Sequence, residues 1–407
     1  MSELQKHTSQ VESRETKRRE TKGPETKGPA ASSRAVVLVV GVVMAVLALS
    51  CWLLPDDAYS ESERRYLREM PALTAQSVAS GRFMDQFEAY AQDSFPFREP
   101  FRRIEALANV AFGRLDGNGV YLAKADGKVV LPFEVGAEDV YACTLDYQLD
   151  AEAVARTLAR YQAVYDSYLA SADARVFAAV IPDKSYYLAY GSGHPVLDYE
   201  ALFSQVEEGM PFATHIDLTD ALEAESYYRT DTHWRQEKLA PVVDALLAAM
   251  GGQGEGADDQ AFDELVLDRP FSGVYVGQSA LPLAPDDLVW LESDATRAAR
   301  AFDHEHAREI PVYDADFAFA SELDPYELFL GGPLSLVTVE SPLAATDREL
   351  VVFRDSFGSA LAPLLLDSYA KITLVDLRYI QPEMLADLVS FEGADVLFLQ
   401  STLSLNS

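Results

Sequence analysis

Val351-Val352-Phe353-Arg354-Asp355-Ser356-Phe357-Gly358 reads as the end of a buried strand, a sharp polar turn and the opening of a helix. The run Glu349–Phe353 has no polar alternation, which is the pattern of a strand covered on both faces. Three more such runs occur at Arg175–Ile181, Lys371–Val375 and Asp395–Leu399. Amphipathic helical stretches accompany them. Ala151–Leu169 places Val154, Leu158, Tyr161, Tyr165 and Tyr168 on one face, and Glu237–Met250 does the same with Leu239, Val242, Val243, Leu246, Leu247 and Met250. Apolar strands alternating with helices predict an α/β fold with a mostly parallel sheet and flanking helices. Residues 251–348, rich in Pro, Asp and Gly, break this rhythm and read as an insertion that shapes a cleft. Val120–Leu122 and Lys128–Leu131 flank Asp126-Gly127, a hairpin signal.

Ser356 follows a strand and precedes a helix over Phe357–Leu366, kinked by Pro363. A serine so placed gains backbone N–H groups at the helix start, which can hold a developing oxyanion. It is equally the position of an ordinary N-cap serine. A second segment, Arg229-Thr230-Asp231-Thr232-His233-Trp234, offers a general base and a carboxylate to orient it. In an extended loop Asp231 and His233 would diverge, so this chemistry needs a tight turn. The alternatives are a surface His beside a capping Asp, and a metal ligand. No cluster in ligand spacing accompanies the pair, and the two cysteines, Cys51 and Cys143, exclude a cysteine-based zinc site and a disulfide framework.

Net charge is −32 over 407 residues, unevenly spread. Residues 1–34 hold eight basic and five acidic side chains, and repeat Glu-Thr-Lys units without apolar residues, the composition of a disordered tail. Ala35–Leu54 carries no charge. Twenty helical residues span roughly 30 Å, the thickness of a bilayer core. Lys17, Arg18, Arg19, Lys22, Lys27 and Arg34 precede this run and Asp56, Asp57, Glu61 and Glu63 follow it. The asymmetry predicts one uncleaved transmembrane helix, a cytoplasmic N-terminus and an extracytoplasmic body, with Trp52 at the outer interface. The acidic body excludes nucleic acid as a partner. The expected organisation is a cytoplasmic tail (1–34), an anchor (35–54), a helical juxtamembrane segment (55–118) and the α/β domain (119–407).

Thr230-Asp231-Thr232-His233-Trp234 closely resembles the signature of the DHHW family and of the AlgJ/AlgX-like alginate O-acetyltransferase group. Other stretches resemble the same proteins: Ser80-Gly81-Arg82-Phe83, Asp93-Ser94-Phe95-Pro96-Phe97-Arg98, Asn118-Gly119-Val120-Tyr121-Leu122, Ile181-Pro182-Asp183-Lys184, Asp324-Pro325-Tyr326 and Val375-Asp376-Leu377-Arg378-Tyr379. The resemblance covers roughly residues 60–407. It implies an SGNH-hydrolase-like domain in permuted order, with Asp-x-His before Ser. It implies Ser356 as nucleophile, His233 as base and Asp231 as its partner, with Arg378, Lys184 and Trp234 near the substrate and no metal or organic cofactor. Departures are Thr232, where the DHHW name has a second His, Arg354, where a Gly often stands, and the lack of an assignable oxyanion Asn among Asn109, Asn118 and Asn406. The implied function is acetyl transfer to, or removal from, a cell-envelope polysaccharide, with an acyl-transferring membrane protein as partner by analogy. The alternative is a non-catalytic envelope protein that binds glycan or a biosynthetic partner on the same scaffold.

Overall fold

The computed structural model describes residues 30–407 except 56, 61, 62, 64, 127, 129, 252–261 and 322–323, and only the backbone of 30–34 and 52. The tail expected over 1–29 and the interfacial place of the Trp52 side chain lie outside the described residues. The chain forms two compact units, Met1–Asp56 and Asp57–Ser407. The first contains one helix, α1 (Ala30–Leu53), whose valines and leucines, Leu47 excepted, are exposed. Among the described residues no helix is long and apolar enough to cross a membrane.

In the second unit a two-residue strand pair (Tyr59–Ser60 with Arg65–Tyr66) and a one-turn helix (Ala75–Ala79) lead into two longer helices, α2 (Arg82–Asp93) and α3 (Arg98–Ala111). Ion pairs hold them. Arg65 grips Asp93 with both terminal nitrogens, at 2.9 and 2.6 Å, and Glu63 sits between Arg98 (2.7 Å) and Arg102 (3.2 Å). Arg102 also donates to the Gly277 and Gln278 carbonyls at 2.8 Å, tying α3 to the body. Val120–Lys124 pairs antiparallel with Val140–Thr144 rather than with 128–131. Pro132, next after that stretch, opens a 3₁₀ turn over Pro132–Glu134. The Gly127 of the expected turn lies outside the described residues.

Four further helices position the site: α4 (Ala151–Val164), α5 (Tyr199–Gly209), α6 (Ala240–Met250) and α7 (Phe357–Leu361). They surround an eight-stranded sheet of β1 (Arg175–Ile181), β2 (Thr214–Ile216), β3 (Arg300–Asp303), β4 (Arg308–Ile310), β5 (Leu336–Glu340), β6 (Glu349–Arg354), β7 (Lys371–Val375) and β8 (Asp395–Ser401). The spatial order is β4-β3-β5-β7-β6-β8-β1-β2. The four strands expected from the sequence lie side by side and parallel, and β2 extends them. Residues 300–340 add three antiparallel strands at the other edge.

Side-chain alternation in β6 explains the two layers. Leu350 and Val352 face a core shared with Val242, Val243 and Leu246 of α6. Val351 and Phe353 face the opposite core, shared with Val154, Leu158 and Tyr161 of α4 and Leu202 of α5. Both faces are dry, so the polar residues of the turn after β6 can only reach solvent at the carboxyl ends of the strands. That edge is where open α/β sheets place their ligands.

Candidate active site

β6 ends at Arg354, and Ser356 leads directly into α7 with φ −59° and ψ −25°. Asp355 holds this corner. One carboxylate oxygen accepts from the Phe357 N–H (3.1 Å), and the other from the N–H (2.8 Å) and hydroxyl (2.6 Å) of Ser401 in β8. The helix folds back so closely that a Cβ on Gly358 would stand 2.7 Å from Arg354 Cβ. Phe357, Gly358 and Ser359 amides donate to groups within the turn. Among the described residues the Ser356 amide has no partner.

Residues 227–235 form a narrow loop. Tyr227 and Trp234 bridge antiparallel, and the Tyr228 N–H donates to the His233 carbonyl at 3.1 Å. The tight turn that the Asp-x-His pair requires is present at its tip. Asp231 Oδ1 accepts from the His233 backbone N–H (3.1 Å) and lies 2.7 Å from His233 Nδ1, while Oδ2 accepts from the Val274 N–H at 2.9 Å. With a carboxylate on Nδ1, that nitrogen carries the proton and Nε2 is left as an acceptor. Nε2 lies 2.7 Å from Ser356 Oγ. The two segments, 123 residues apart, thus form one hydrogen-bonded chain, Asp231–His233–Ser356.

Two neighbours of the histidine clamp its loop to α7. Trp234 Nε1 donates to the Phe357 carbonyl at 3.1 Å, and Gln236 Nε2 donates to the Ala360 carbonyl at 2.7 Å. Trp234 is fully buried, so it braces the site rather than facing a substrate. Lys184, also expected near the substrate, is buried as well. Its ammonium donates to the carbonyls of Tyr228 (2.8 Å), Arg229 (3.1 Å) and Asp231 (2.7 Å) and lies over the Tyr275 ring. All three of its protons are used on the loop, none on a ligand. Burial pulls its pKa down, opposed by the nearby acidic groups. Arg378 is partly exposed at the carboxyl end of β7 and is gripped by Asp376 at 2.9 and 2.6 Å. Burial alone would lower its pKa, but the bond to Asp376 outweighs this and raises it. Arg354, the departure beside the turn, is fully buried. It donates to the Leu334 carbonyl at 3.2 Å and stands 3.9 Å from Asp376, and burial lowers its pKa. Asn406, one of the three asparagines, is occupied by Asp146, the Gln148 carbonyl and the Asp150 N–H.

Three contributors came from residues without a sequence signal of that role. The Tyr326 ring stacks on His233, with centroids 3.9 Å apart and planes 10° from parallel. Asp286 accepts from the backbone and side chains of both Arg229 and Thr230 at 2.6–3.1 Å. Gly273 presses against the loop: a Cβ there would meet Asp231 Cβ at 2.3 Å. No group of side chains suited to a metal ion occurs among the described residues.

The chain shares its fold with a DHHW family protein. That structure, from Eubacterium siraeum, superposes with a TM-score of 0.54 at 20% identity, covering 72% of this chain and 93% of that one. PatB1 of Bacillus cereus has a TM-score of 0.54 at 15% identity, covering 67% of this chain and 96% of that one. A second structure of PatB1, with a sulfonyl adduct, has a TM-score of 0.50 at 14% identity and covers 66% of this chain and 93% of that one. At these identities the likeness is one of fold. No family model and no curated protein matches the sequence.

Proposed function

We propose that this chain is a serine acyltransferase or esterase of SGNH type, anchored in the cell membrane, that moves acetyl groups on or off an envelope polysaccharide. The observation that carries the proposal is the His233 Nε2 to Ser356 Oγ contact of 2.7 Å, with Asp231 on the other ring nitrogen. Ser356 Oγ attacks the acyl carbonyl as its proton passes to His233 Nε2. The tetrahedral intermediate collapses, and the leaving oxygen or sulfur of the donor takes that proton. A sugar hydroxyl or water, deprotonated by the same nitrogen, then attacks the acyl-serine, and Oγ recovers its proton. Asp231 stabilises the imidazolium between the two steps. The Ser356 amide is the oxyanion donor that the turn leaves unpartnered.

The anchor is supported by the charge-free Ala35–Leu54 run and the basic residues ahead of it. The polysaccharide substrate and an acyl-transferring membrane partner rest on the motif resemblance. The test is turnover of an acetyl ester, and acetyl transfer to oligosaccharide, by the purified chain. Ser356→Ala and His233→Ala should each lower turnover by on the order of 10⁴–10⁶, and the double variant by little more, because the groups act as one unit. Undiminished activity in Ser356→Ala would sink the mechanism. Inactivity of the wild type, together with failure of a sulfonyl fluoride to label Ser356, would favour the glycan-binding scaffold.

A further inference from the structure

The helix α3 turns its apolar side outward. Phe97, Phe101, Ile104, Ala108 and Phe112 recur at helical spacing and are all exposed, Ile104 at 62% and Phe112 at 89%. The side facing the protein instead uses Ala106, Val110 and the stem of Arg102, whose guanidinium is engaged in ion pairs. Leu107 broadens the exposed face, and α2 adds Met84 and Phe87 beside it. Phe95 contacts Phe101, so the apolar surface is continuous between the two helices. A folded domain does not leave such a face in water unless something covers it.

We infer that this face lies in the interfacial layer of a lipid bilayer, with the phenylalanines among the acyl chains. The inference rests on the membrane anchor proposed above. The charge-free run ends at Leu54 and α2 begins at Arg82, so these are the first long helices that follow the proposed bilayer segment in the chain. Aromatic side chains suit the membrane–water boundary. Charge singles out the same segment. Residues 57–113 carry seven basic and nine acidic side chains, whereas residues 114–407 carry 18 basic and 50 acidic. Only the first is close enough to neutral to approach an anionic lipid surface without strong repulsion. Docking there would hold the ectodomain at the membrane surface by a second contact besides the anchor.

The full chain can be reconstituted in phosphatidylcholine–phosphatidylglycerol vesicles, with a nitroxide label on one introduced cysteine. Cys51→Ser removes the exposed native thiol, and Cys143 is buried. Labels at Ile104→Cys and Val43→Cys should collide with oxygen several-fold more than with a water-soluble nickel chelate, and a label at Arg103→Cys, also exposed, should show the reverse ranking. A Val43→Cys label in lipid with an Ile104→Cys label in water would overturn the docking while leaving the anchor intact. Both labels in water would overturn both. Spin–spin broadening at Ile104→Cys that disappears on dilution with unlabelled protein would assign the face to a second copy, and the lipid contact would be lost.

Discussion

Gly273 determines how closely the 262–321 segment can approach the Asp231 carboxylate. The added methyl of Gly273→Ala would overlap Asp231 Cβ and the Thr230 carbonyl, at 2.3 and 2.4 Å, both rigid parts of the loop. The loop must move, and the Val274 N–H to Asp231 bond is the first contact to suffer. We expect Gly273→Ala to lower kcat by about 10²-fold and to destabilise the fold by roughly 1–3 kcal/mol. Steady-state kinetics and urea midpoints would check this, and unchanged kcat would show that the loop relaxes freely. At this scale the sequence was informative where chemistry restricts residue type. Ser356, His233 and Asp231 stand out because few side chains can serve as nucleophile, base and orienting acid. Tyr326 lies in one of the family-like stretches, but its stacking on His233, like the roles of Asp286 and Gly273, arises from tertiary approach across 40 or more residues. Lys184 and Trp234 were placed near the site, but charge and an aromatic ring in a motif do not reveal whether a side chain faces outward. Here both are turned inward onto carbonyls.

Ion pairs join α2 and α3 to Glu63 and Arg65 in the segment ahead of them, which makes that junction sensitive to acid, while Ala106 and Val110 pack α3 on the body. The Arg65 hydrogen bonds hold the Asp93 carboxyl below its ordinary 3.8, against the opposing effect of burial. A carboxylate whose pKa falls on folding contributes stability that is complete above its unfolded pKa, near 4, and is lost as pH falls through the folded value. Asp93→Asn should therefore melt below the wild type at pH 6, and the gap should narrow as pH falls below about 4. A gap independent of pH would assign the loss to packing. Elements themselves were legible to unequal degrees. The parallel strands were visible as unbroken apolar runs because burial on both faces removes polar residues. The edge strand β4 and its neighbour β3 were not, since Arg308–Ile310 and Arg300–Asp303 are short and charged, as strands toward a sheet edge tend to be. The hairpin misassignment had a different origin: a turn signal fixes where a chain reverses, while the partner is chosen by the strand that can complete the ladder.

For the whole molecule, orientation is the property that the charge asymmetry predicts most directly. Protease added to intact cells should digest the 56–407 body and spare the basic tail. A protected body, or a mature chain beginning after residue 50, would overturn the anchored topology. The order in which the sheet is made carries a separate consequence. β8 lies between β6 and β1, and its Ser401 supplies two of the three bonds that fix Asp355 beside the serine. Among the described strands it is the last in chain order. A chain cut before Asp395 would hold the nucleophile, the base and the acid, yet have no central strand to set them side by side. Possession of the three residues is therefore not possession of the site, and such a truncated chain should show no acyl turnover.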